Sequence, residues 1–248
     1  MELQNARKIL STLPPEAVVL DVGGGASPFP RANYVIDAMP FSKIGSGSDG
    51  NIHQKLNEPI RYNADRWVQW DICDRQRWPF EDKQFDFAIC SHVLEDIRDP
   101  IWVCSEIQRV SKAGYIEVPS RVVEQSKGVE NPRHAGYYHH RWLITAGANR
   151  LEFRHKPAML HSLNRAIVAK LWAGRRINPA HAIVPFFWDE PFEVVEVMEF
   201  DERRVMEELK QFARSARQLP ALTERVPLTA GGRLKRNIFY LRLLVGGD

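Results

Sequence analysis

Residues 17–25 of this 248-residue chain read Ala-Val-Val-Leu-Asp-Val-Gly-Gly-Gly, a short apolar run that ends in an acid and three glycines. The run does not alternate between apolar and polar residues, which is typical of a strand buried on both faces of a parallel sheet. Glycines let the backbone turn tightly and approach a ligand closely, because there is no side chain in the way. The stretch therefore predicts the first strand of a parallel sheet, followed by a turn that can hold a ligand.

Four further segments predict strands of the same sheet: 34–37, 67–71, 85–90 and 115–118. Between the last two, Asp99 and Pro100 form an N-cap and a first helical position, and Gly114 is expected to close the helix. Short buried strands alternating with helices predict an α/β fold with a doubly wound, mostly parallel sheet. Ligands of such sheets bind outside the carboxyl ends of the strands.

The remainder of the chain is expected to complete the same domain. We predict a single domain over residues 1–248, with a substrate-side insertion at about 120–190. Within and after the insertion, 164–172 is expected to be a helix and 192–200 a strand. Residues 238–245 are expected to form an antiparallel last strand, which would bring the sheet to seven strands.

The composition is that of an ordinary globular protein, with 44% hydrophobic and 26% charged residues. The apolar runs are shorter than the roughly 20 residues that a membrane span needs, and the first residues do not resemble a secretory signal. A cytoplasmic protein without a membrane span is therefore expected. The three cysteines, Cys73, Cys90 and Cys104, form no CxxC pair, which argues against a disulfide framework and a structural zinc site. No metal site is predicted.

Positive charge is concentrated in one part of the sequence. Residues 131–176 contain nine lysines and arginines, five histidines and a single acid, Glu152. Such a segment can attract an anionic substrate, although a solvated surface has the same composition. Both interpretations stay open at this point.

Several motifs together resemble the class I S-adenosylmethionine-dependent methyltransferases, and among them the methyltransferase type 11-like group. The motifs are VLDVGGG at 19–25, FDFAICSHVLEDIRDP at 85–100 and EIQRV at 106–110. Three further stretches resemble a bacterial subgroup of these enzymes: GGGASPFPRANYVID at 23–37, YIEVPS at 115–120 and HHRW at 139–142. The resemblance covers about residues 15–145 and departs from the group at Asp96, where histidine is usual.

The resemblance implies S-adenosylmethionine as the cofactor. Asp21 would bind the methionine ammonium group, Asp37 the ribose hydroxyls, and Asp71 with Ile72 the adenine. The full set of cofactor-binding residues predicted in this way is Asp21, Gly23, Gly24, Gly25, Asp37, Asp71, Ile72, Ser91 and His92.

Methyl transfer requires that donor and acceptor be aligned and that water be excluded. A hydroxyl acceptor also profits from a general base, for which His139, His140 and Glu117 are the candidates. The substrate-binding residues expected beside them are Arg133, Arg141 and Trp142. We expect a small-molecule or saccharide acceptor, in some cases anionic, methylated at a hydroxyl oxygen. Sugar hydroxyls, phenols and carboxylates all agree with these residues.

Other functions are less well supported. A nucleic-acid methyltransferase could use the basic segment 131–176, but no Asn/Asp-Pro-Pro-aromatic run follows the fourth strand to hold a flipped base. A nicotinamide enzyme would need the third glycine of GxGxxG where this chain has Pro28. A non-catalytic S-adenosylmethionine-binding module stays an alternative, because a fold does not by itself imply an activity.

Overall fold

The computed structural model describes residues 1–44, 52–171 and 174–226. The helices, α1 to α5, are Leu3–Thr12, Ile52–Leu56, Pro100–Val110, Arg121–Glu124 and Glu202–Ala216. The strands, β1 to β11, are Val19–Val22, Tyr34–Asp37, Trp67–Gln69, Phe85–Ser91, Ser111–Pro119, Trp142–Ala146, Arg150–His155, Arg175–Ile177, Ile183–Trp188, Glu193–Glu196 and Thr223–Arg225. None of the described helices is long and apolar enough to cross a membrane.

The chain divides into two compact units. Unit 1 comprises Met1–Val118, Ile144–Phe153 and Val184–Glu196. Unit 2 comprises Pro119–Leu143, Arg154–Ile183 and the described residues from Val197 onward. The single domain with a substrate-side insertion at 120–190 remains a prediction.

Unit 1 is built on a six-stranded sheet with the strand order β3-β2-β1-β4-β5-β9. The pairs β1–β2, β1–β4, β2–β3 and β4–β5 are all parallel. The predicted doubly wound, mostly parallel sheet is therefore confirmed. The predicted seventh strand at 238–245 lies outside the described residues.

The strand order reverses between β1 and β4, which are neighbours although β2 and β3 come between them in the sequence. In register, Val22 of β1 lies beside Ile36 of β2 and Cys90 of β4. The residues that follow these three positions, among them Gly23 and Ser91, are thus brought to one edge of the sheet. This is the place at which doubly wound sheets bind ligands.

β1 is buried along its whole length, Asp21 included, as predicted for a strand without polar alternation. Val19 packs in a core cluster with Val35 of β2, Ile89 of β4 and Tyr115 of β5. The apolar face of α1 adds Ala6 and Ile9 to the same cluster.

Gly114 does not close α3, contrary to the prediction. Asp99 caps the start as expected, but the helix ends at Val110, and the hydroxyl of Ser111 bonds a carbonyl of its last turn. Gly114 lies inside β5, where the indole of Trp188 in β9 packs against it. A Cβ atom at Gly114 would come within 2.8 Å of the indole nitrogen. The glycine is therefore explained by packing between strands.

Unit 2 contains the antiparallel pair of β8 and β11, the helix α5 and the short helix α4. The helix predicted at 164–172 is wrong, since only Asn164–Ala166 forms a single 3-10 turn. The next residues bond to another segment, because Val168 N donates to Gln125 O and Leu171 N donates to Lys127 O. In unit 1, the strand predicted at 192–200 is confirmed only as the shorter β10.

Candidate functional site

A cavity of about 490 Å³ lies in unit 1 at the carboxyl ends of β1 and β4. Asp21, Gly24, Phe29, Lys55 and Ser91 are among the residues that line it. Its volume falls in the range of roughly 300–1,000 Å³ that is usual for small-molecule sites. The cavity, the switch in strand order and the glycine turn therefore lie at the same place in unit 1.

The three glycines after β1 are needed for different reasons. Gly23 has φ +69°, and a Cβ atom there would lie 2.6 Å from a methyl group of Val93. At Gly24 a Cβ atom would lie 2.8 Å from Cβ of Pro28 and 3.0 Å from Oδ2 of Asp21. Gly25 has φ +56°, but a Cβ atom there would meet nothing closer than a carbonyl oxygen at 4.0 Å. Gly25 thus leaves open the space that a bound ligand can use.

Asp21 is a buried carboxyl group in the cavity wall. Its Oδ2 accepts a hydrogen bond of 2.6 Å from the backbone N–H of Phe29. Burial raises the pKa of Asp21 to about 7, against the effect of that hydrogen bond, and the charge of Asp37 adds to the rise. A buried carboxyl with a raised pKa in a cavity is a typical binding group for a cation, because a bound positive charge would restore its ionised form.

Asp37 ends β2 and is held by the backbone of the glycine turn. Its Oδ2 accepts from Gly25 N at 2.7 Å and its Oδ1 accepts from Met39 N at 2.6 Å. Each carboxylate oxygen has a second lone pair, so both oxygens retain the capacity to accept from a ligand. The structure therefore brings together the glycine turn and the acid that the sequence predicted for the ribose.

Asp71 and Ile72, which follow β3, differ in exposure. The side chain of Asp71 is 51% exposed and forms an ion pair of 2.8 Å with Arg98. Slight burial raises the pKa of Asp71, but the hydrogen bonds from Arg98 and from Cys73 N lower it further than burial raises it. Ile72 is buried, and its carbonyl accepts from the indole of Trp78.

Glu117, near the end of β5, accepts more hydrogen bonds than any other described acid of unit 1. Its carboxylate accepts from Glu2 N at 2.7 Å, from Asn5 Nδ2 at 3.3 Å and from the Tyr115 hydroxyl, and it lies 3.2 Å from His92 Nε2. Burial raises the pKa of Glu117, but the hydrogen bonds from His92 and Tyr115 outweigh it and lower the pKa to about 2. Such an acid stays ionised and is a weak base at neutral pH.

His92 directly follows β4 and lies between two carboxyl groups. Its Nε2 faces Glu117 and its Nδ1 lies 3.4 Å from Oε1 of Glu95. Burial lowers the pKa of His92, but the hydrogen bonds to Glu117 and Glu95 outweigh it and raise the pKa to about 9. His92 has a φ of +56°, so the residue after Ser91 is fixed in an unusual backbone conformation.

His140 belongs to a buried charged cluster within unit 2. Its Nδ1 lies 2.8 Å from Oε1 of Glu124, whose other oxygen accepts from Nζ of Lys156 at 2.6 Å. Lys156 also donates to the carbonyl of Tyr137. Gly136 makes room for the cluster, because a Cβ atom there would lie 2.5 Å from Oε2 of Glu124. His139, in contrast, is 44% exposed, and its Nδ1 lies 4.0 Å from Glu130.

The remaining predicted substrate residues are distributed over surface and interior. Arg133 and Arg141 are exposed, whereas Trp142 is buried with its ring 6.2 Å from that of His155. The predicted positive field is reduced by pairing, since Lys156, Arg150 and Arg176 form ion pairs with acids.

Sequence reasoning missed several groups of these sites. Glu95 contacts His92, and Tyr115 donates to Glu117. Glu124 contacts His140 and also pairs with Lys156. Glu124 carries a detectable signal, because it is a lone acid among the apolar residues of α4. The other three are ordinary in their sequence context.

The fold and the cavity define a class of protein: a doubly wound α/β protein with a small-molecule site at the switch in strand order. Residues 48–116 match the family model described as "Methyltransferase domain". The match includes β3, β4 and α3, and it confirms the predicted resemblance to class I methyltransferases over this part of the chain. It also supports S-adenosylmethionine as the cofactor.

Solved structures that match part of this chain include three with different names. The arsenic(III) S-adenosylmethionine methyltransferase from Chlamydomonas reinhardtii is 19% identical, with 46% of this chain and 48% of that chain covered and a TM-score of 0.30. A SAM-dependent methyltransferase from Aquifex aeolicus is 19% identical, with 52% and 70% covered and a TM-score of 0.33. The [4+2]-cyclase SpnF is 20% identical, with 47% and 44% covered and a TM-score of 0.34.

The chain spans about half the length of the first solved structures that it matches, with 48%, 54% and 50% of their chains covered. A comparison with curated protein sequences gives no match.

Proposed function

We propose that this protein is an S-adenosylmethionine-dependent methyltransferase that acts on a small-molecule or saccharide acceptor, at a hydroxyl oxygen. The observation that carries the proposal is the cavity at the ends of β1 and β4, lined by Asp21 and Gly24. The family match over residues 48–116 supports the same reaction class. A cytoplasmic location is part of the proposal.

The residues around the cavity fit the charges and polar groups of this cofactor. S-adenosylmethionine supplies, when bound, a methyl group on a sulfonium centre whose sulfur is a good leaving group. Asp21 would bind the ammonium group, because a cation stabilises its ionised form. Asp37 would accept from the ribose hydroxyls with the lone pairs that Gly25 N and Met39 N leave open.

The remaining cofactor contacts follow the strand order. Ile72 is assigned to the adenine ring because it is buried, and Asp71 to the adenine amine, where it would compete with Arg98. Gly23 and Gly24 shape the turn, and Ser91 lines the cavity. His92 is assigned to the cofactor side as a cation held in place by Glu117.

The proposed general base is His140 or His139, and not Glu117. Glu117, with a pKa of about 2, is suited to orient His92 rather than to take a proton. A carboxylate can only accept, so Glu124 requires a proton on Nδ1 of His140 and leaves the lone pair of the neutral ring on Nε2. The same arrangement of acid and histidine orients the base in catalytic triads. His139 is more exposed, and its Nδ1 lies 4.0 Å from Glu130.

The acceptor is assigned to the segment 131–176. Arg133 and Arg141 are exposed cations that can bind an anionic or hydroxyl-rich molecule, and Trp142 is assigned to a packing role at the same place. A nucleic-acid acceptor is the second candidate, and it rests only on the charge of this segment.

Calorimetric titration with S-adenosylmethionine and, separately, with NAD tests the cofactor. We expect saturable binding of S-adenosylmethionine alone. Gly25→Ala should weaken it about ten-fold or more, because the methyl group fills space that the ligand needs. Gly147→Ala controls for an added methyl group, since its Cβ atom would meet no atom closer than 3.8 Å. Thermal unfolding of Gly25→Ala measures the strain of a side chain at φ +56°, so that a loss of folding is told apart from a loss of binding. Binding of NAD in place of S-adenosylmethionine would overturn the proposal.

Transfer is tested with S-adenosylmethionine labelled in its methyl group and a panel of saccharides, phenols, carboxylates and oligonucleotides. Label on a saccharide or phenol hydroxyl supports the proposal. Label on oligonucleotides alone would identify a nucleic-acid methyltransferase. Tight cofactor binding without label on any acceptor would instead favour a non-catalytic binding module.

A further inference from the structure

Unit 2 places two lysines side by side through backbone pairing. Lys127 forms a parallel bridge with Lys170 and an antiparallel bridge with Ala135. Lys127 N donates to Ala169 O at 2.9 Å, and Leu171 N donates to Lys127 O at 2.8 Å. The lysines are therefore neighbours because the backbone requires it, and not because their side chains attract each other.

Gly128 permits this pairing. It has φ +83°, and a Cβ atom there would lie 2.3 Å from the carbonyl oxygen of Leu171. A side chain at this position would force the two segments apart. The glycine thus allows the two segments to lie close together, and this close approach makes the two lysines neighbours.

The charge of this pair is not neutralised within the described part of the chain. No carboxylate there forms an ion pair with the ammonium group of Lys127 or of Lys170. The acid of the neighbouring cluster, Glu124, is already occupied by Lys156 and His140. Burial lowers the pKa of Lys127, and the charge of Lys170 lowers it further. Like charges held together in this way destabilise a protein unless an anion binds between them.

Two histidines lie beside the lysine pair. His161 Nδ1 accepts from Ala135 N at 3.0 Å, so the proton of the neutral ring is on Nε2, which can donate to a ligand. The His134 ring lies 5.2 Å from the His161 ring, and its buried Nδ1 has no hydrogen-bond partner among the described residues. Buried polar atoms without a partner are rare and often indicate a missing water or ion. Burial lowers the pKa of His161, and the charges of Lys156, His134 and Lys127 lower it further.

We infer that Lys127, Lys170, His134 and His161 form a binding site for the phosphoryl group of a small phosphomonoester. The donors come from four separate segments, which the bridges of Lys127 to Lys170 and Ala135 and the contacts of His161 with Ala135 and His134 hold next to one another. Such a compact group suits a single dianionic group better than an extended phosphodiester chain. The site lies within unit 2 and requires neither S-adenosylmethionine nor methyl transfer. If the proposed function is correct, the phosphoryl group would belong to the acceptor.

The site is tested by calorimetric titration of the full chain with inorganic phosphate and with glucose 6-phosphate, at constant ionic strength and without S-adenosylmethionine. We expect saturable binding of both. The double variant Lys127→Gln/Lys170→Gln should weaken both about ten-fold or more, as expected for the loss of hydrogen bonds to a charged group. The matched control is Arg165→Gln/Arg175→Gln, which removes two exposed charges from the same unit and should change binding less than about two-fold.

Folding of the variants is measured by thermal unfolding. Loss of the repulsion between the two lysines should leave the midpoint of Lys127→Gln/Lys170→Gln equal to or above that of the wild type. Equal weakening in both double variants would show that only the general positive charge attracts phosphate, and would overturn the inference. Non-saturable phosphate binding by the wild type would also overturn it. A ten-nucleotide single-stranded DNA that binds more tightly than glucose 6-phosphate would overturn the assignment to a phosphomonoester.

Discussion

The ends of β1 and β5 each carry a buried acid, and the two acids have opposite properties. Asp21 accepts one backbone hydrogen bond and lies near the charge of Asp37, and its pKa is raised to about 7. Glu117 accepts from two backbone or amide nitrogens, a phenol and an imidazole, and its pKa is lowered to about 2. Both are nearly inaccessible to solvent.

The difference shows that hydrogen-bond donors, rather than burial, decide the ionisation of these acids. Glu117 has counter-charges close by, in His92 and in the N-terminal ammonium group. For Asp21 the N-terminal ammonium group has the weakest of the effects on the pKa, and a cationic ligand would supply a closer counter-charge. One acid therefore contributes to the stability of the fold, while the other lowers it when ionised, a cost that a bound cation would offset.

The largest effect is expected for Glu117→Gln. The substitution removes the charge that holds His92 and leaves an amide facing donors, so the free energy of unfolding should fall by about 3–5 kcal/mol. The control Asp82→Asn removes an exposed partner of Arg77 and Arg109 and should change stability little. Chemical denaturation of the two variants measures the difference.

The dependence of the free energy of unfolding on pH in the acid range gives a second test of Glu117. The pKa of Glu117 is lowered from 4.5 to about 2, so its stabilising contribution is complete above pH 4.5 and is lost as the pH falls toward 2. Glu117→Gln should lack this part of the acid dependence. Equal pH profiles for variant and wild type would show that the carboxylate is not stabilised as described.

Asp21→Asn should act in the opposite direction on stability. At pH 8 the wild-type carboxyl is forced to ionise in a buried place, whereas asparagine is neutral and can still accept from Phe29 N. We expect the free energy of unfolding to rise by about 1–3 kcal/mol. The affinity for S-adenosylmethionine should fall about ten-fold or more, because the ammonium group loses a charged partner. A variant that is more stable and still binds normally would exclude Asp21 from the cofactor site.

The contrast between the two acids also shows what could be predicted from the sequence. The strand before Asp21, the glycine turn and Asp37 were predictable because buried parallel strands are continuous apolar runs and a tight turn needs glycine. The partners of Glu117 were not, because Glu2 and Asn5 are more than 100 residues away in the sequence. The helix expected at 164–172 failed for a similar reason, since Val168 and Leu171 donate to residues 125 and 127 instead of to a preceding helical turn.

A change of pH alone is expected to have a smaller effect on the affinity for S-adenosylmethionine. With a pKa of about 7, Asp21 is about one tenth ionised at pH 6 and nine tenths at pH 8, so the affinity for S-adenosylmethionine should rise about ten-fold over this range. The stability of the ligand-free protein should change in the opposite sense: Asp21 makes it fall as the pH rises from about 4 to about 7. Calorimetry and denaturation at matched pH values measure both trends. Asp21→Asn is the control, and a persistent affinity change in that variant would assign the titration to another group.

The smallest effect is expected at the end of β3, where the acid is neither buried nor unpaired. Asp71 is half exposed and already bound to Arg98, so water competes for its hydrogen bonds. Asp71→Ala should therefore weaken S-adenosylmethionine binding by less than about 1 kcal/mol, below the cost of deleting a partner from a buried hydrogen bond. Asp74→Ala, three residues further on, should leave the affinity unchanged. Calorimetry at pH 8 separates the outcomes: a loss near the Asp21→Asn value would mean that Asp71 becomes buried when the cofactor binds, and a loss confined to Asp74→Ala would assign the adenine contact to that residue.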